Sequence, residues 1–239
     1  MRTIKANSVF ALLGILIVSL LTSCTTDINK SKSGYSEKTF DEGSFSKIKL
    51  QGGYNVKLIQ GEKSSVVLKT AKDLIDKIHI NIKNEELSVE TNVKNIGTDE
   101  VLLTITVKDL EDIKIEGGVY LTTDRYIEMK NFNMNVEGGA NIKMMIKADT
   151  FKTKASGGVN MEFEGIANEF TAISEGAANI DADHFEAQYV VCRVSGVGNA
   201  SVYATKELDA KVEGVGKIGY RGEPIITKKI DGIGIVYRK

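Results

Sequence analysis

The stretch Gly138-Gly139-Ala140-Asn141-Ile142 returns as Gly157-Gly158-Val159-Asn160-Met161 and again as Gly176-Ala177-Ala178-Asn179-Ile180. Each copy begins with Gly, passes through a small or apolar residue to a polar residue, usually Asn, and then carries apolar residues at alternate positions. The copies begin at Gly117, Gly138, Gly157, Gly176, Gly196, Gly214 and Gly232, in steps of 18 to 21 residues. That period is the length of one rung of a β-solenoid, so the chain is predicted to be all-β, with one rung per copy.

The apolar positions of each copy predict a core that runs through the stack of rungs. Ile142 and Met144 lie four and six residues after the first Gly of their copy, and Ile180 and Ala182 occupy the same positions in a later one. Side chains two apart on a strand point to the same side, so equivalent residues pile up if the rungs stack about 4.8 Å apart. In this interpretation the glycines form corners, because Gly reaches positive φ without a steric clash.

Asn recurs at one position of the repeat, three residues after the first Gly. Its amide carries both donors and an acceptor, so we expect these side chains to hydrogen-bond from rung to rung as a ladder. Lys217 and Ile235 take this position in the last two copies. The predicted ladder consists of Asn55, Asn141, Asn160, Asn179 and Asn199.

The part of the chain before the regular repeats also predicts strands. Apolar and polar side chains alternate through residues 45–91, and residues 78–89 indicate a hairpin that turns at Asn84-Glu85. Gly52-Gly53-Tyr54-Asn55-Val56 is an early copy of the repeat, which adds its first Gly to the predicted corners.

The N-terminus carries an export signal. Arg2 and Lys5 precede an apolar run that ends near Leu21, and small residues then lead to Cys24. This pattern is typical of a secretory signal peptide, and its end resembles the lipobox of bacterial lipoproteins. The resemblance implies cleavage before Cys24 and lipidation of that residue, and Thr25 in place of Asp favours the outer membrane. The predicted organisation is a signal peptide (1–23), a lipidated cysteine with a flexible tether (24–38), an N-terminal β portion (39–110) and solenoid repeats (111–239), unless 39–239 form one continuous domain.

Charge and cysteine content limit the partners. The chain has a formal net charge of −1, which becomes −3 when Arg2 and Lys5 leave with the signal peptide. Such a balance does not favour nucleic acid. Once Cys24 is lipidated, Cys192 has no cysteine partner for an intramolecular disulfide. We predict that Cys192 is a buried structural thiol.

The lipobox, the strand-rich start and the recurring Gly-Gly-x-Asn and Gly-x-Gly-Asn corners resemble the head GIN domain, the auto-transporter adhesin family common among lipoproteins and secreted proteins of the Bacteroidetes. The resemblance covers residues 40–235. It implies a right-handed, parallel β-helix-like fold preceded by a more antiparallel β portion. It brings no catalytic residues to this chain.

Asp181, Asp183 and His184 are the candidates for acid–base chemistry. The two carboxylates lie two residues apart and are expected on one face of a strand. A solvated outer face also requires polar residues, and we expect no carboxylates at matching positions of adjacent rungs. Side chains two apart sit about 7 Å from each other, a separation within the range of inverting glycosidases.

Cofactor and metal sites are not predicted. Gly214-Val215-Gly216-Lys217-Ile218-Gly219 has the letters of a dinucleotide fingerprint, but a strand of the repeat follows where that site needs a helix. His79 and His184 lie far apart in the sequence, without other ligands at metal-binding spacing.

The sequence thus favours a lipid-anchored, non-enzymatic protein of the cell envelope that binds an extracellular protein or a glycan. One alternative is a polysaccharide lyase or hydrolase on the same scaffold. Another is a structural envelope protein without a ligand. Convergence of polar groups from different rungs in one cleft would distinguish the first two.

Overall fold

A computed structural model describes residues 34–41, 43–94 and 96–239. The predicted signal peptide, Cys24 and the tether up to residue 33 lie outside the described residues. The described chain forms one compact unit, built from thirteen strands and a short 3-10 turn at Ile75–Lys77. The strands are β1 (Tyr35–Phe40), β2 (Lys47–Gln60), β3 (Ser65–Ala71), β4 (Ile78–Lys83), β5 (Glu86–Thr91), β6 (Val101–Val107), β7 (Asp112–Thr123), β8 (Ile127–Ser174), β9 (Ala177–Val194), β10 (Val197–Val212), β11 (Val215–Arg221), β12 (Ile225–Ile230) and β13 (Ile233–Arg238).

Parallel pairing from β2 to β13 builds the predicted solenoid. β2 pairs with β7, β7 with β8, β8 with β9 and β9 with β10, after which β11, β12 and β13 complete the stack. Gly52 pairs in register with Gly117, 65 residues further along the chain, and Gly117 pairs with Gly138. The solenoid therefore begins at β2, inside the segment 39–110, and β3–β6 form an insertion between its first two rungs.

The N-terminal end of the stack is the more antiparallel part that was expected. β5 and β6 pair in parallel with the two halves of β2, and β4, β3 and β1 then add antiparallel strands outside them. The β4–β5 hairpin turns through Asn84 and Glu85, both with positive φ, as a two-residue hairpin turn requires. β1 begins at Tyr35, so the predicted tether of residues 24–38 is wrong for its last four residues, which are held by pairing with β3.

The core consists of columns of side chains that point inward from successive rungs. Ile142 and Ile180 are buried, as are their equivalents on neighbouring rungs. Phe151 lies at the centre of an aromatic cluster, with its ring centroid 5.2 Å from those of Phe132 and Phe170 in stacked arrangements. Cys192 is fully buried in the same core, and burial raises the pKa of its thiol to about 12.

A column of glycines runs along one corner of the solenoid. The first glycines of the copies lie directly above one another, so a Cβ on any of them points at the backbone of the rung before. At Gly138, for example, a Cβ would lie 2.7 Å from the carbonyl oxygen of Gly117. The column consists of Gly52, Gly117, Gly138, Gly157, Gly176, Gly196, Gly214 and Gly232.

The physical reason for these glycines differs from the predicted one along half of the column. Gly52, Gly117, Gly138 and Gly157 have positive φ. The last four glycines do not, so the explanation from positive φ is wrong for them. A Cβ on Gly196 would still overlap the carbonyl oxygen of Gly176. Close approach of neighbouring rungs therefore excludes a side chain throughout the column.

Two adjacent glycines test this explanation. Gly157→Ala should lower the free energy of unfolding by about 3 kcal/mol or more, because its Cβ meets Gly138 and its φ of +119° is strained. Gly158→Ala should change it by less than about 1 kcal/mol, because its Cβ points into open space among the described residues. Urea midpoints of residues 25–239 measure both changes. Equal midpoints for the two variants would contradict the steric account.

Candidate binding groove and neighbouring polar clusters

An open groove of about 890 Å³ runs along the stack beside the glycine column. The positions one, two and three residues after the first Gly line it over six rungs. At about 4.8 Å per rung, the groove is about 24 Å long. Its lining consists of Ala140, Asn141, Gly158, Val159, Asn160, Ala177, Ala178, Asn179, Val197, Gly198, Asn199, Val215, Gly216, Lys217, Ile233, Gly234 and Ile235.

One wall and the floor change size in opposite directions along the groove. The wall begins with small residues such as Gly158 and ends with Val197, Val215 and Ile233, whose exposed fractions are 65%, 50% and 76%. The floor begins with residues such as Val159 and ends with glycines, where a Cβ would overlap the preceding rung. The groove therefore stays open although its aliphatic wall grows.

The predicted Asn column forms the other wall of the groove. Asn141, Asn160, Asn179 and Asn199 are exposed on the outer surface, and the amide nitrogen of Asn179 donates to the side-chain oxygen of Asn160 at 3.0 Å. Asn55 occupies the equivalent position of the first rung. Because these amides face solvent, they are placed to contact a ligand rather than buried turn groups.

The Asp181 and Asp183 carboxylates are engaged in local contacts. The register with β8 shifts between them, and Asp181 Oδ1 accepts the backbone N–H of Asp183 at 3.1 Å. The ammonium of Lys239 binds the Asp183 carboxylate and donates to Ser201 Oγ at 2.9 Å. These bonds tie the last residue of the chain to an earlier rung. They give the carboxylate of Asp183 a structural partner.

The expectation that carboxylates do not recur at matching positions is wrong. Glu162 pairs in register with Asp181 on the next rung, and Lys143 forms an ion pair with Glu162 at 2.7 Å. The hydrogen bond to Glu162 raises the pKa of Lys143. The outer face thus carries a stripe of alternating charges, and the lysine offsets the repulsion between the carboxylates.

The structure brings together a polar cluster that the sequence interpretation missed. Tyr126 Oη donates to Glu164 Oε1 at 3.1 Å, which raises the pKa of Tyr126. The Lys147 ammonium lies 5.1 Å from the Tyr126 ring centroid, and His184 pairs in register with Glu164. A recess of about 540 Å³ is lined by these four residues, Gly165 and Ile166. The 20-residue step from Glu164 to His184, one rung period, was the available sequence signal.

The remaining sequence candidates are separate from these clusters. His79 lies on β4 and His184 on β9, and the described residues contain no group of three or more His, Cys, Asp or Glu side chains placed to hold a metal. Gly214–Gly219 run into strand β11, as expected for a repeat rather than a nucleotide loop. Among the described residues, no helix is long and apolar enough to cross a membrane.

Solved structures with the same fold come from related bacteria. A putative adhesin from Bacteroides fragilis superposes with a TM-score of 0.83 at 22% identity, covering 86% of this chain and 97% of its own. A putative adhesin from Parabacteroides distasonis gives a TM-score of 0.67 at 21% identity, covering 87% and 98%. A protein described as a putative lipid binding protein, also from P. distasonis, gives 0.67 at 18% identity, covering 86% and 97%. At these identities the likeness shows the fold alone.

Sequence comparison identifies the family. No curated protein matches the chain. The family model described as "Putative auto-transporter adhesin, head GIN domain" matches residues 44–224, which span β2 to the turn before β12. The chain belongs to the head GIN domain family.

Proposed function

We propose that this protein is a lipid-anchored, non-enzymatic protein of the cell envelope that binds a protein or a glycan outside the membrane. The groove of about 890 Å³ supports this proposal most strongly. It joins exposed aliphatic side chains to a row of exposed amides, and both types of group make contacts when a ligand covers them. Exposed apolar surface of this kind on one face typically marks a site of interaction.

The anchor follows from the sequence around Cys24. The signal peptide and lipobox place the mature N-terminus at a lipidated cysteine, and each buried CH₂ of an acyl chain contributes about 0.8 kcal/mol to membrane binding. Membership of an adhesin family agrees with a place in the cell envelope. Residues 25–33 would then connect the lipid to β1, which begins at Tyr35.

A carbohydrate-active enzyme is the second candidate, and the Tyr126 recess is the observation that favours it. Glu164 and His184 lie on adjacent rungs beside an aromatic ring, and such groups can move a proton and hold a sugar. Two contacts oppose a catalytic role. The Glu164 carboxylate accepts a hydrogen bond from Tyr126, and Lys147, which could neutralise it, also forms an ion pair with Glu128 at 3.3 Å.

The anchor is tested by Cys24→Ala. The variant precursor should incorporate no labelled fatty acid and should leave the membrane fraction, because the thiol that receives the first acyl chain is missing. Metabolic labelling followed by membrane fractionation measures both effects, with Thr25→Ala as the matched control. Fatty-acid label on the Cys24→Ala protein would show that the lipobox interpretation is wrong.

The binding function is tested by comparing turnover with binding. Residues 25–239 should bind at least one member of a glycan array or of a panel of mucins and extracellular-matrix proteins. They should release no products from plant, host or bacterial polysaccharides. Turnover that is lost in Glu164→Gln or Asp183→Asn, and kept in Asp181→Asn, would establish the enzyme instead. Neither binding nor turnover would favour a structural role.

A further inference from the structure

The chain covers part of the glycine-rich corner with its own backbone. The segment between β5 and β6 passes over the first two rungs, where the Ile96 carbonyl oxygen lies 2.5 Å from the position of a Cβ on Gly53. Thr98 Cγ2 lies 3.9 Å from the corresponding position on Gly118. A short polypeptide segment, Ile96-Gly97-Thr98, therefore lies against the outer side of these two corners.

The same line of corners continues into the open groove. Gly53 pairs with Gly118, and Gly118 with Gly139, so the residue that follows each column glycine forms one row along the stack. At Gly139 and Gly158 no described atom lies within 4 Å of a Cβ position. The groove is thus the uncovered continuation of a surface that already contacts a polypeptide at its N-terminal end.

We propose that this groove binds an extended polypeptide segment of a partner protein, aligned with the axis of the stack. This rests on the proposed binding function and names its partner class. At about 3.3 Å per residue, the groove length of about 24 Å holds about seven residues. Aliphatic side chains of the segment pack on Val197, Val215 and Ile233, and its main chain faces the Asn wall.

The lining favours a polypeptide over the other ligand classes. The strands that form the groove are already paired with neighbouring rungs, so a partner cannot add a strand there and must use side-chain contacts. The Asn amides supply donors and acceptors for peptide N–H and C=O groups. An acyl chain would cover these amides without giving them a hydrogen bond, which costs free energy. A sugar would find no aromatic ring among the lining residues.

The groove also has a polarity. Lys217 is the charged residue of the lining, and it lies toward the C-terminal end between Asn199 and Ile235. An acidic side chain or a chain-terminal carboxylate at one end of the segment fits this position. The preferred segment is therefore aliphatic in its middle and acidic at one end.

Selection from a phage-displayed library of twelve-residue peptides on residues 25–239 provides the test. Selected peptides, synthesised with a fluorescent label, should bind at least about tenfold more weakly to Gly158→Leu, which fills the groove. The matched control, Lys152→Leu, adds the same side chain at an exposed position of β8 outside the lining and should leave affinity unchanged. Lys217→Glu should weaken binding of peptides with an acidic end and leave neutral variants of them unaffected.

Three outcomes overturn the proposal. The first is that selected peptides bind Gly158→Leu as tightly as the unchanged protein. The second is that glycans or a fluorescent fatty acid bind with loss in Gly158→Leu while no peptide does; this leaves the groove as a site for another ligand and keeps the broader function for glycans. The third is that peptides, glycans and matrix proteins all fail to bind, which removes the proposed function as well. A melting temperature of Gly158→Leu within a few degrees of the unchanged protein verifies that it folds.

Discussion

Close contact between glycine backbones at one corner is the constraint on which the rest of the structure depends. Where Gly157 lies over Gly138, a single methyl group would overlap the carbonyl oxygen of the rung before. With hydrogen in its place, consecutive rungs approach closely enough to pair in register on both sides of the corner. Register at the corner then fixes which residues face inward and which face outward along each strand.

The same constraint produces the surface proposed to bind a partner. Small residues beside the glycine column leave a trough, and the second set of glycines, such as Gly216, keeps its floor low where the wall carries Val215. The inward side chains of the next positions are buried, so a ligand in the groove rests on a packed core. The binding surface is therefore rigid because it is built on strands, and little ordering of the protein is needed when a ligand binds.

The sequence predicted the features that depend on the repeat period. The corners, the inward position of Ile142 and Ile180, and the all-β class follow from regular spacing, and the structure confirms the fold class. Gly52 was recognised as a copy of the repeat, but the 65 residues before Gly117 hid its place in the first rung. The column glycines after Gly157 needed the distance between rungs, which a single rung does not reveal.

Contacts across irregular steps could not be predicted from the sequence. The register shift near Glu162 and Glu164 changes which residues face each other on adjacent rungs, so the alignment of Glu162 with Asp181 was missed. Tyr126 meets Glu164 across 38 residues, a separation that no single period gives. Such clusters depend on local bulges, and these leave only a weak trace in residue spacing.

The measurement that tests the continuous stack most directly is the distance between its two ends. Spin labels at Lys57→Cys and Tyr237→Cys sit at equivalent positions of the first and last rungs, seven steps apart in register. Cys192 can remain, because its buried thiol, with a pKa of about 12, does not react with the label at neutral pH. Pulsed electron–electron resonance should give one narrow distribution near about 34 Å. A broad distribution, or a mean tens of ångströms away, would show that β2 is not the first rung of the solenoid.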